Sequence, residues 1–392
     1  AVPEAAPVRK TSGGLRLNIV RAIMMAAVLI VSMATTAVSQ EDYSDLYVFG
    51  YMQAAYVDIG QSILGPHSTT FFLQQANVMA SKEFDSQFSS FLNLQFTNSY
   101  NSQLGWGAMN LEEGWVKYSY SQAFNVKAGL LLPSFNALLK VKNRTPLLPY
   151  ILRPLVYEPL MADRMNTELF LPFRANAEVY GSFPVYDLNL DYAVFWGNSE
   201  SSYIISGRGT GFQVSGMDTT LSKLWGGRLG VSTPWMRVGV SATTDKENQN
   251  QMGLGAVQRY RYGADVSIHF SHLSFDGEMI LVRTDLDERQ ASMFAMLQMF
   301  NPMLGKSLER NFLYGMLLWD FNDAFYVYGS YSVSQVKEYV GMDDGVSSLS
   351  FGGGWRPVES VVVKAQYVKI SSDSPAFQLN IGIPIIAVSV MF

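Results

Sequence analysis

The sequence contains no cysteine, so disulfide bonds, thiol catalysis and cysteine-ligated metal sites are excluded. Charged residues are also scarce, at 16% of the chain against roughly 25% in an ordinary globular domain. The formal net charge of -5 gives no electrostatic support for nucleic-acid binding. This composition therefore argues against an ordinary soluble enzyme and against a nucleic-acid-binding protein.

Catalytic and metal-binding motifs are missing as well. His67, His269 and His272 lie in two separate places without a carboxylate at helical spacing, so they do not form a zinc motif. The glycine-containing stretches lack the strand-to-helix context of a phosphate-binding loop, and no Ser/His/Asp order stands out. We therefore predict no enzymatic activity and no cofactor.

The beginning of the chain has the pattern of a secretory signal peptide. Basic residues precede an apolar stretch from Ala22 to Met33, and small residues follow it. We expect residues 1–39 to be cleaved as a signal peptide, which leaves residues 40–392 as the mature domain. The alternative is an N-terminal membrane anchor, but the apolar run is shorter than the roughly 20 residues that a spanning helix needs.

After residue 40, apolar and polar residues alternate with a period of two, which is typical of half-buried strands. About sixteen such stretches occur, each near the 9–11 residues of a tilted membrane-crossing strand. Their approximate centres are Gln53, Asn77, Leu94, Val116, Ala128, Val179, Leu190, Leu229, Val240, Asp265, Met279, Met316, Tyr328, Phe351, Ala365 and Val388.

The connections between these stretches alternate between short and long. Turns such as that at residues 271–272 are followed by longer loops such as residues 285–310. A soluble β-sandwich has no reason to keep this asymmetry, whereas an outer-membrane barrel combines tight periplasmic turns, long outer loops and an even number of strands. The sequence therefore predicts an all-β fold, a transmembrane antiparallel up-and-down β-barrel in the outer membrane of a Gram-negative bacterium.

The last residues are expected to form the final strand of this barrel. A closed barrel pairs its last strand with its first, because an unpaired backbone edge is not tolerated in hydrocarbon. Phe392, Val390 and Val388 share one face, which we assign to lipid, and they resemble the assembly signal that the outer-membrane insertion machinery recognises. Farther from the end the apolar parity shifts by one residue, so we expect a β-bulge between Gly382 and Pro384.

A barrel of this size leaves an aqueous channel unless something folds inward. The longest connection, residues 136–174, is the third long loop, and we expect it to fold into the barrel and narrow the pore. Basic residues at the constriction would favour anions, whereas pairing with nearby acids or a place at the outer rim would not. The candidate constriction residues are Lys140, Lys142, Arg144, Arg153 and Arg164.

Charges of both signs also fall on the predicted lumen face of the strands. They could form a transverse field across water, or they could neutralise one another, and the sequence leaves both alternatives open. The lumen-wall candidates are Lys117, Lys127, Arg228, Arg237, Arg261, Asp265, Asp276 and Glu278, with Arg356, Lys364, Glu113, Glu178, Asp187 and Asp191 on the same face.

Three segments resemble a known family. They are "FGYMQAAYVDI" from Phe49, "FFLQQANVMASKEFDSQFSSFLNLQF" from Phe71 and "LEEGWVKYSYSQAFNVKAGLLLPSF" from Leu111. The chain resembles the Gram-negative porin superfamily, most nearly its phosphate-selective and related substrate-specific branch. The resemblance implies a pore, an inward third loop and a homotrimer. Gln74 and Gln75 stand where that branch often has arginines, so phosphate selectivity is not carried over.

The predicted function is that of an outer-membrane porin for passive diffusion of small hydrophilic solutes or ions. Its other expected partners are outer-membrane lipid and lipopolysaccharide. A plugged structural or adhesive barrel that binds a partner through its outer loops is the alternative, and a membrane enzyme on a smaller barrel is a third.

The barrel prediction can be tested by spectroscopy. We expect the processed chain to need detergent or lipid to stay in solution, and its far-ultraviolet circular dichroism to be dominated by β-structure. A mainly helical spectrum, or free solubility in water, would contradict the prediction.

Overall fold

The structure is a computed structural model, and it does not describe the predicted signal peptide or Arg164. The residues that it describes are 46–59, 68–99, 108–142, 144–158, 170–172, 175–199, 204–205, 214–215, 222–248, 256–290, 292, 307–339, 342–374 and 377–392.

Sixteen strands of the described chain form one closed antiparallel barrel. Two very short strands, β8 (Ile204–Ile205) and β9 (Val214–Ser215), pair only with each other. The barrel strands are β1 (Leu46–Ile59), β2 (Ser68–Glu83), β3 (Phe88–Ser99), β4 (Ala108–Ser121), β5 (Phe124–Leu131), β6 (Ala175–Val185), β7 (Leu188–Asn198), β10 (Lys223–Ser232), β11 (Met236–Asn248), β12 (Ala256–Phe270), β13 (Leu273–Asp285), β14 (Ser307–Asp320), β15 (Phe325–Tyr339), β16 (Met342–Val358), β17 (Val361–Ser374) and β18 (Phe377–Met391).

Every predicted strand centre lies within one of these barrel strands, so the predicted fold is confirmed. Sequence neighbours pair all the way round the barrel, and β18 closes it against β1. The strands are more variable in length than predicted, from 8 residues in β5 to 17 residues in β16. Because a bilayer core is crossed by roughly 9–11 tilted residues, the longest strands extend beyond the hydrocarbon.

One end of the barrel has the long connections, together with two-residue gaps between β15 and β16 and between β17 and β18. At the other end every connection is a short turn, and the tightest of these leave β4, β6, β12 and β16. Tyr186 and Ser271, in two of these turns, have a φ of 53°, which allows the chain to reverse direction within a few residues. The wide connections, including the one between β5 and β6, lie at the opposite end. This sidedness is the one predicted from the alternation of loop lengths.

The outer surface of the barrel is apolar, and rings crowd the end that carries the short turns. Along β13, Phe275 and Met279 are exposed while Glu278 and Ile280 are buried. Aromatic girdles of this kind mark the interface between lipid and water. The exposed rings near the short turns belong to Phe84, Phe88, Tyr120, Phe124, Phe183, Tyr186, Trp235, Phe270, Trp319, Phe321, Phe325 and Trp355.

The C-terminal residue completes the closure of the barrel. The amide of Gly50 donates to the carbonyl of Phe392 at 2.7 Å, and the amide of Phe392 donates back to Gly50 at 3.0 Å. The side chains of Val388 and Phe392 are 43% and 63% exposed on the outer surface, as predicted, and Val390 is half-buried. The phenyl ring of Phe392 covers Gly50, where an added Cβ would lie 2.7 Å from the ring.

The bulge predicted between Gly382 and Pro384 is wrong. β17 and β18 pair without a shift from Val361↔Val390 to Ser374↔Phe377. Ile381 and Ile383 point inward and pack against a buried apolar cluster. The prediction failed because it assumed a polar lumen face throughout, whereas part of this lumen is lined by apolar side chains.

Short helical segments occupy the connection between β5 and β6. They are α1 (Ala137–Val141) and two 3-10 turns, Thr145–Leu147 and Leu155–Tyr157. In the residues described, no helix has the length and apolar character required to cross a membrane.

The contact at the closure gives a prediction. Gly50→Val places side-chain atoms against the ring of Phe392 and the carbonyl of Asn77, so we expect it to destabilise the folded barrel by about 1–3 kcal/mol. Ala54→Val, at an exposed position of the same strand, is the control and should change little. The folded fraction is measured by the heat-dependent shift in gel mobility. Equal losses in both variants would contradict the role assigned to the Gly50 contact.

Candidate functional site: the lumen and its inward loop

The described residues of the connection between β5 and β6 fold into the barrel, as predicted for the third loop. The first residues of this connection after β5 are buried: Ser134, Phe135 and Asn136 have no exposed surface. Its later residues bond to strands far away in sequence, among them β13, β15 and β17. We call residues 132–158 the inward loop.

The start of the inward loop is fixed to the wall on β6 and β11. The carboxylate of Glu178 accepts hydrogen bonds from the amide of Ser134 at 3.0 Å and from its hydroxyl at 2.5 Å. The amide of Asn136 donates to the hydroxyl of Ser241 at 3.1 Å. The side chain of Asn136 lies directly on Gly263 of β12, where a Cβ would collide with it. Glycine at that position therefore permits the loop to touch the wall.

Glu278 of β13 holds the loop at two points. Its carboxylate accepts from the amide of Leu138 and from the hydroxyl of Tyr157, both at 2.6 Å. The Tyr157 ring makes an edge contact with Phe312 at 6.2 Å between centroids. Burial, and then the Glu278 carboxylate, raise the pKa of Tyr157 well above its ordinary value, so its hydroxyl remains a neutral donor.

The far side of the loop is held by β17. The buried ammonium of Lys364 donates to the carbonyls of Thr145 at 3.0 Å, Pro146 at 3.0 Å and Leu148 at 2.6 Å. The side-chain oxygen of Gln366 accepts from two consecutive loop amides, at residues 151 and 152, each at 2.7 Å. Both side chains therefore satisfy loop backbone groups that would otherwise be buried without partners.

Two apolar clusters fill the space between the loop and the wall. Such burial stabilises by about 25 cal/mol per Å², so these contacts fasten the loop as much as the hydrogen bonds do. The larger cluster includes Phe135, Leu139, Tyr150, Tyr157, Ile280, Phe312, Tyr314, Met316, Tyr326 and Tyr328. The smaller one contains Ala55, Val57, Phe72, Ile151, Leu152, Val368, Ile370, Ile385 and Ala387.

Beside the loop a cavity of about 620 Å³ remains. Residues of α1, of the wall and of the short turns line it, and its charged groups have both signs. Water and polar solutes can therefore occupy this part of the lumen, in contrast to the filled side. The charged lining residues are Lys140, Arg144, Arg228, Arg237, Asp191, Asp265, Asp276 and Glu278.

The predicted constriction residues divide into two groups. Lys140 and Arg144 are exposed on the loop and line the cavity. Lys142 is buried, and Arg153 donates to Thr145 at 2.7 Å and to Gln75 of β2 at 2.6 Å. Lys142 and Arg153 therefore belong to the packed part of the loop, whereas Lys140 and Arg144 face the cavity.

Several lumen-wall candidates neutralise one another. Arg228 forms a two-point ion pair with Asp265, one contact of which measures 2.7 Å. Arg261 lies 3.5 Å from Asp245, which also binds Arg259 at 2.9 Å. These pairs favour the neutralisation alternative for that part of the wall.

The remaining wall candidates have other roles. Arg356 pairs with Asp320 at 3.1 Å near the short turns, and Asp276 accepts from Ser267 at 2.6 Å. Asp187 lies in the turn after β6. Arg237 lines the cavity as an exposed side chain. Among the described residues, no group of three or more His, Asp or Glu side chains could hold a metal ion.

Sequence reasoning missed Asp245, Arg259 and Glu112. The first two lie on the same alternating face as Arg261, so the period-two pattern could have found them. Glu112 could not be found that way, because the pairing of β3 with β4 shifts by one residue opposite Asn93 and Leu94. The register passes from Glu113 directly to Leu111, and Glu112 is buried between them.

The two bonds to Glu278 give a prediction. Glu278→Ala removes a charged acceptor from Leu138 and Tyr157, and we expect a loss of roughly 3 kcal/mol or more in unfolding free energy. Asp276→Ala, on the same strand and face, loses only the bond from Ser267 and should cost less. Urea unfolding of the lipid-reconstituted protein compares them. Equal destabilisation would show that Glu278 does not hold the loop.

Comparison with known proteins places this barrel among porins of similar structure. No protein-family model matches the chain, and no curated protein matches it. The anion-selective porin from Comamonas acidovorans has a TM-score of 0.60 at 11% identity, with 89% of this chain and 100% of that one covered. OmpF of Salmonella typhi, in complex with daunomycin, has a TM-score of 0.60 at 9% identity, covering 88% and 97%.

A third structure agrees with these two. The outer membrane channel DcaP of Acinetobacter baumannii has a TM-score of 0.58 at 8% identity, covering 90% of this chain and 99% of that one. At such identities the likeness shows the fold alone. The predicted resemblance is confirmed at that level: the chain folds as a porin-like barrel of the Gram-negative outer-membrane type.

Proposed function

We propose that this chain is an outer-membrane porin through which small hydrophilic solutes and ions diffuse passively. The observation that carries the proposal is the cavity of about 620 Å³ beside the inward loop, lined by charges of both signs inside a closed barrel with an apolar exterior. No energy source and no catalytic step are part of it.

The outer surface supports a location in the outer membrane. Lys246, Arg283 and Lys369 are exposed on the outer face near the long-loop end, where lipopolysaccharide phosphates would lie. Removal of residues 1–39, recognition of the C-terminal strand by the insertion machinery and assembly as a homotrimer belong to the same proposal. A trimer form of OmpT from Vibrio cholerae, which shares the fold, is consistent with the last of these.

The charges beside the cavity support an influence on ion choice. Lys140 and Arg144 lie on the loop, and the carboxylates of Asp191 and Asp276 on the wall line the same cavity. Opposite signs on the two sides of a passage create a field across it, and a low-dielectric wall strengthens that field. Since Lys142 and Arg153 are engaged in packing, we assign the preference for anions to Lys140 and Arg144.

The tight fastening of the loop favours a second candidate, a plugged structural barrel. Its two apolar clusters fill the lumen along β13–β18 and the adjoining strands. The two candidates differ in conductance: a porin conducts in planar bilayers, whereas a plugged barrel is silent in every salt.

Single-channel recording tests the porin proposal together with its charge preference. We expect the wild type to conduct and to prefer chloride. The double variant K140E/R144E should lower the chloride-to-potassium permeability ratio about five- to tenfold, which corresponds to about 1–1.4 kcal/mol of electrostatic energy. Reversal potentials in a salt gradient measure this ratio.

K246E/R283E is the matched control, because it makes the same charge change outside the barrel. Its permeability ratio should equal that of the wild type. An unchanged ratio in K140E/R144E, or an equal change in both variants, would remove these two loop residues from the selectivity mechanism.

A further inference from the structure

Two lysines face each other on the lumen wall. Lys117 of β4 and Lys127 of β5 are direct partners in the strand register. Like charges at directly opposite positions repel and destabilise a sheet. On its other side, Lys127 is the register partner of Glu178 of β6, so one carboxylate offsets part of this repulsion.

Lys127 contacts two aromatic rings through its ammonium group. Its ammonium lies 4.5 Å from the ring centroid of Trp115 and 5.0 Å from that of Tyr180. Among the residues that the structure describes, it has neither a hydrogen-bond acceptor nor an ion pair, although most of its surface is covered. Three N–H donors held between two ring faces are thus available to a ligand.

The neighbouring carboxylates already accept hydrogen bonds from other groups. The charges that act on Lys127 are those of Glu178, Lys140, Glu113 and Lys117. Glu178 is bonded twice by Ser134, and Glu113 accepts from the indole of Trp115 at 3.2 Å. The inward loop adds the exposed Lys140, so the charges that act on one another here are three ammonium groups and two carboxylates, which leaves one positive charge in excess.

The region also has an apolar side that opens to the cavity. Trp115 and Leu138 pack against the larger apolar cluster. Tyr180, Leu138 and Lys140 line the cavity of about 620 Å³. A solute in that cavity can therefore touch the Tyr180 ring and the Lys140 ammonium at the same time.

We propose that Lys117, Lys127 and Lys140 form a binding site for a small organic carboxylate with an apolar body. The carboxylate accepts from the ammonium groups, and the hydrocarbon part lies against Tyr180 and Leu138. A strongly hydrated inorganic anion gains less here, because it would lose water against rings without apolar contact in return. The inference rests on the proposed porin function and deepens it by naming the class of solute.

Benzoate is a suitable probe. In planar bilayers with potassium chloride, we expect benzoate to reduce the wild-type conductance in a saturable manner. K127M keeps the length of the side chain but removes the ammonium, and it should raise the half-blocking concentration about tenfold, the factor that one charge-assisted hydrogen bond supports. K117M should act in the same direction.

Lys82 provides the matched control. Its ammonium also contacts a ring, that of Phe84 at 5.5 Å, but it lies beside the short turn after β2. K82M should bind benzoate like the wild type. Unchanged block in both K117M and K127M, or an equal loss in K82M, would overturn the site.

Two further probes test the chemistry of the ligand. Benzyl alcohol has the ring without the charge, and inorganic phosphate has the charge without the ring. We expect weaker block by both. Block by benzyl alcohol as strong as that by benzoate would overturn the role of the ammonium groups, and equal block by phosphate would overturn the role of the apolar side.

Thermal unfolding separates this inference from the proposed function. Benzoate should raise the unfolding temperature of the wild type in detergent but not that of K127M. A silent channel that benzoate still stabilises would defeat the porin proposal and leave the site standing. A conducting channel with neither block nor stabilisation would defeat the site alone.

Discussion

The structure depends on one constraint: hydrocarbon offers no partner for a backbone N–H or C=O, so each must be bonded within the protein. Sixteen strands satisfy it by pairing in a ring, and the pair of hydrogen bonds between Gly50 and Phe392 completes that ring at the chain terminus. Because the ring has an inside and an outside, every strand must alternate. The apolar outer surface and the charged lumen both follow from the closure.

Inside the barrel, the same need to give every buried polar group a hydrogen-bond partner explains where the charges lie. A buried ion is stable when its hydrogen-bonding capacity is filled, and removing one partner is costly. Glu178, Glu278 and Lys364 meet this requirement by binding the backbone or side chains of the inward loop. Lys117 and Lys127 have no such use. The wall thus contains charges that hold the loop and charges that remain for water and solutes.

The sequence was sufficient for the barrel but not for the arrangement inside it. Period-two alternation is local, so all the strand centres and the sidedness of the loops could be predicted. The wrong bulge near Gly382 shows the limit, since Ile381 points inward and packs against a cluster that includes Ile151 from a distant loop. The packing of Arg153 could not be predicted for the same reason: its bond to Gln75 joins residues that no sequence pattern relates.

The separation between Lys364 and the backbone that it holds has a consequence for the order of assembly. Lys364 lies 219 residues after Thr145, in the strand next to the last. The loop therefore cannot reach its final position until nearly the whole chain has joined the sheet. Because an incomplete barrel has a passage of different cross-section from the finished one, the width of the channel is fixed only in the last steps of folding.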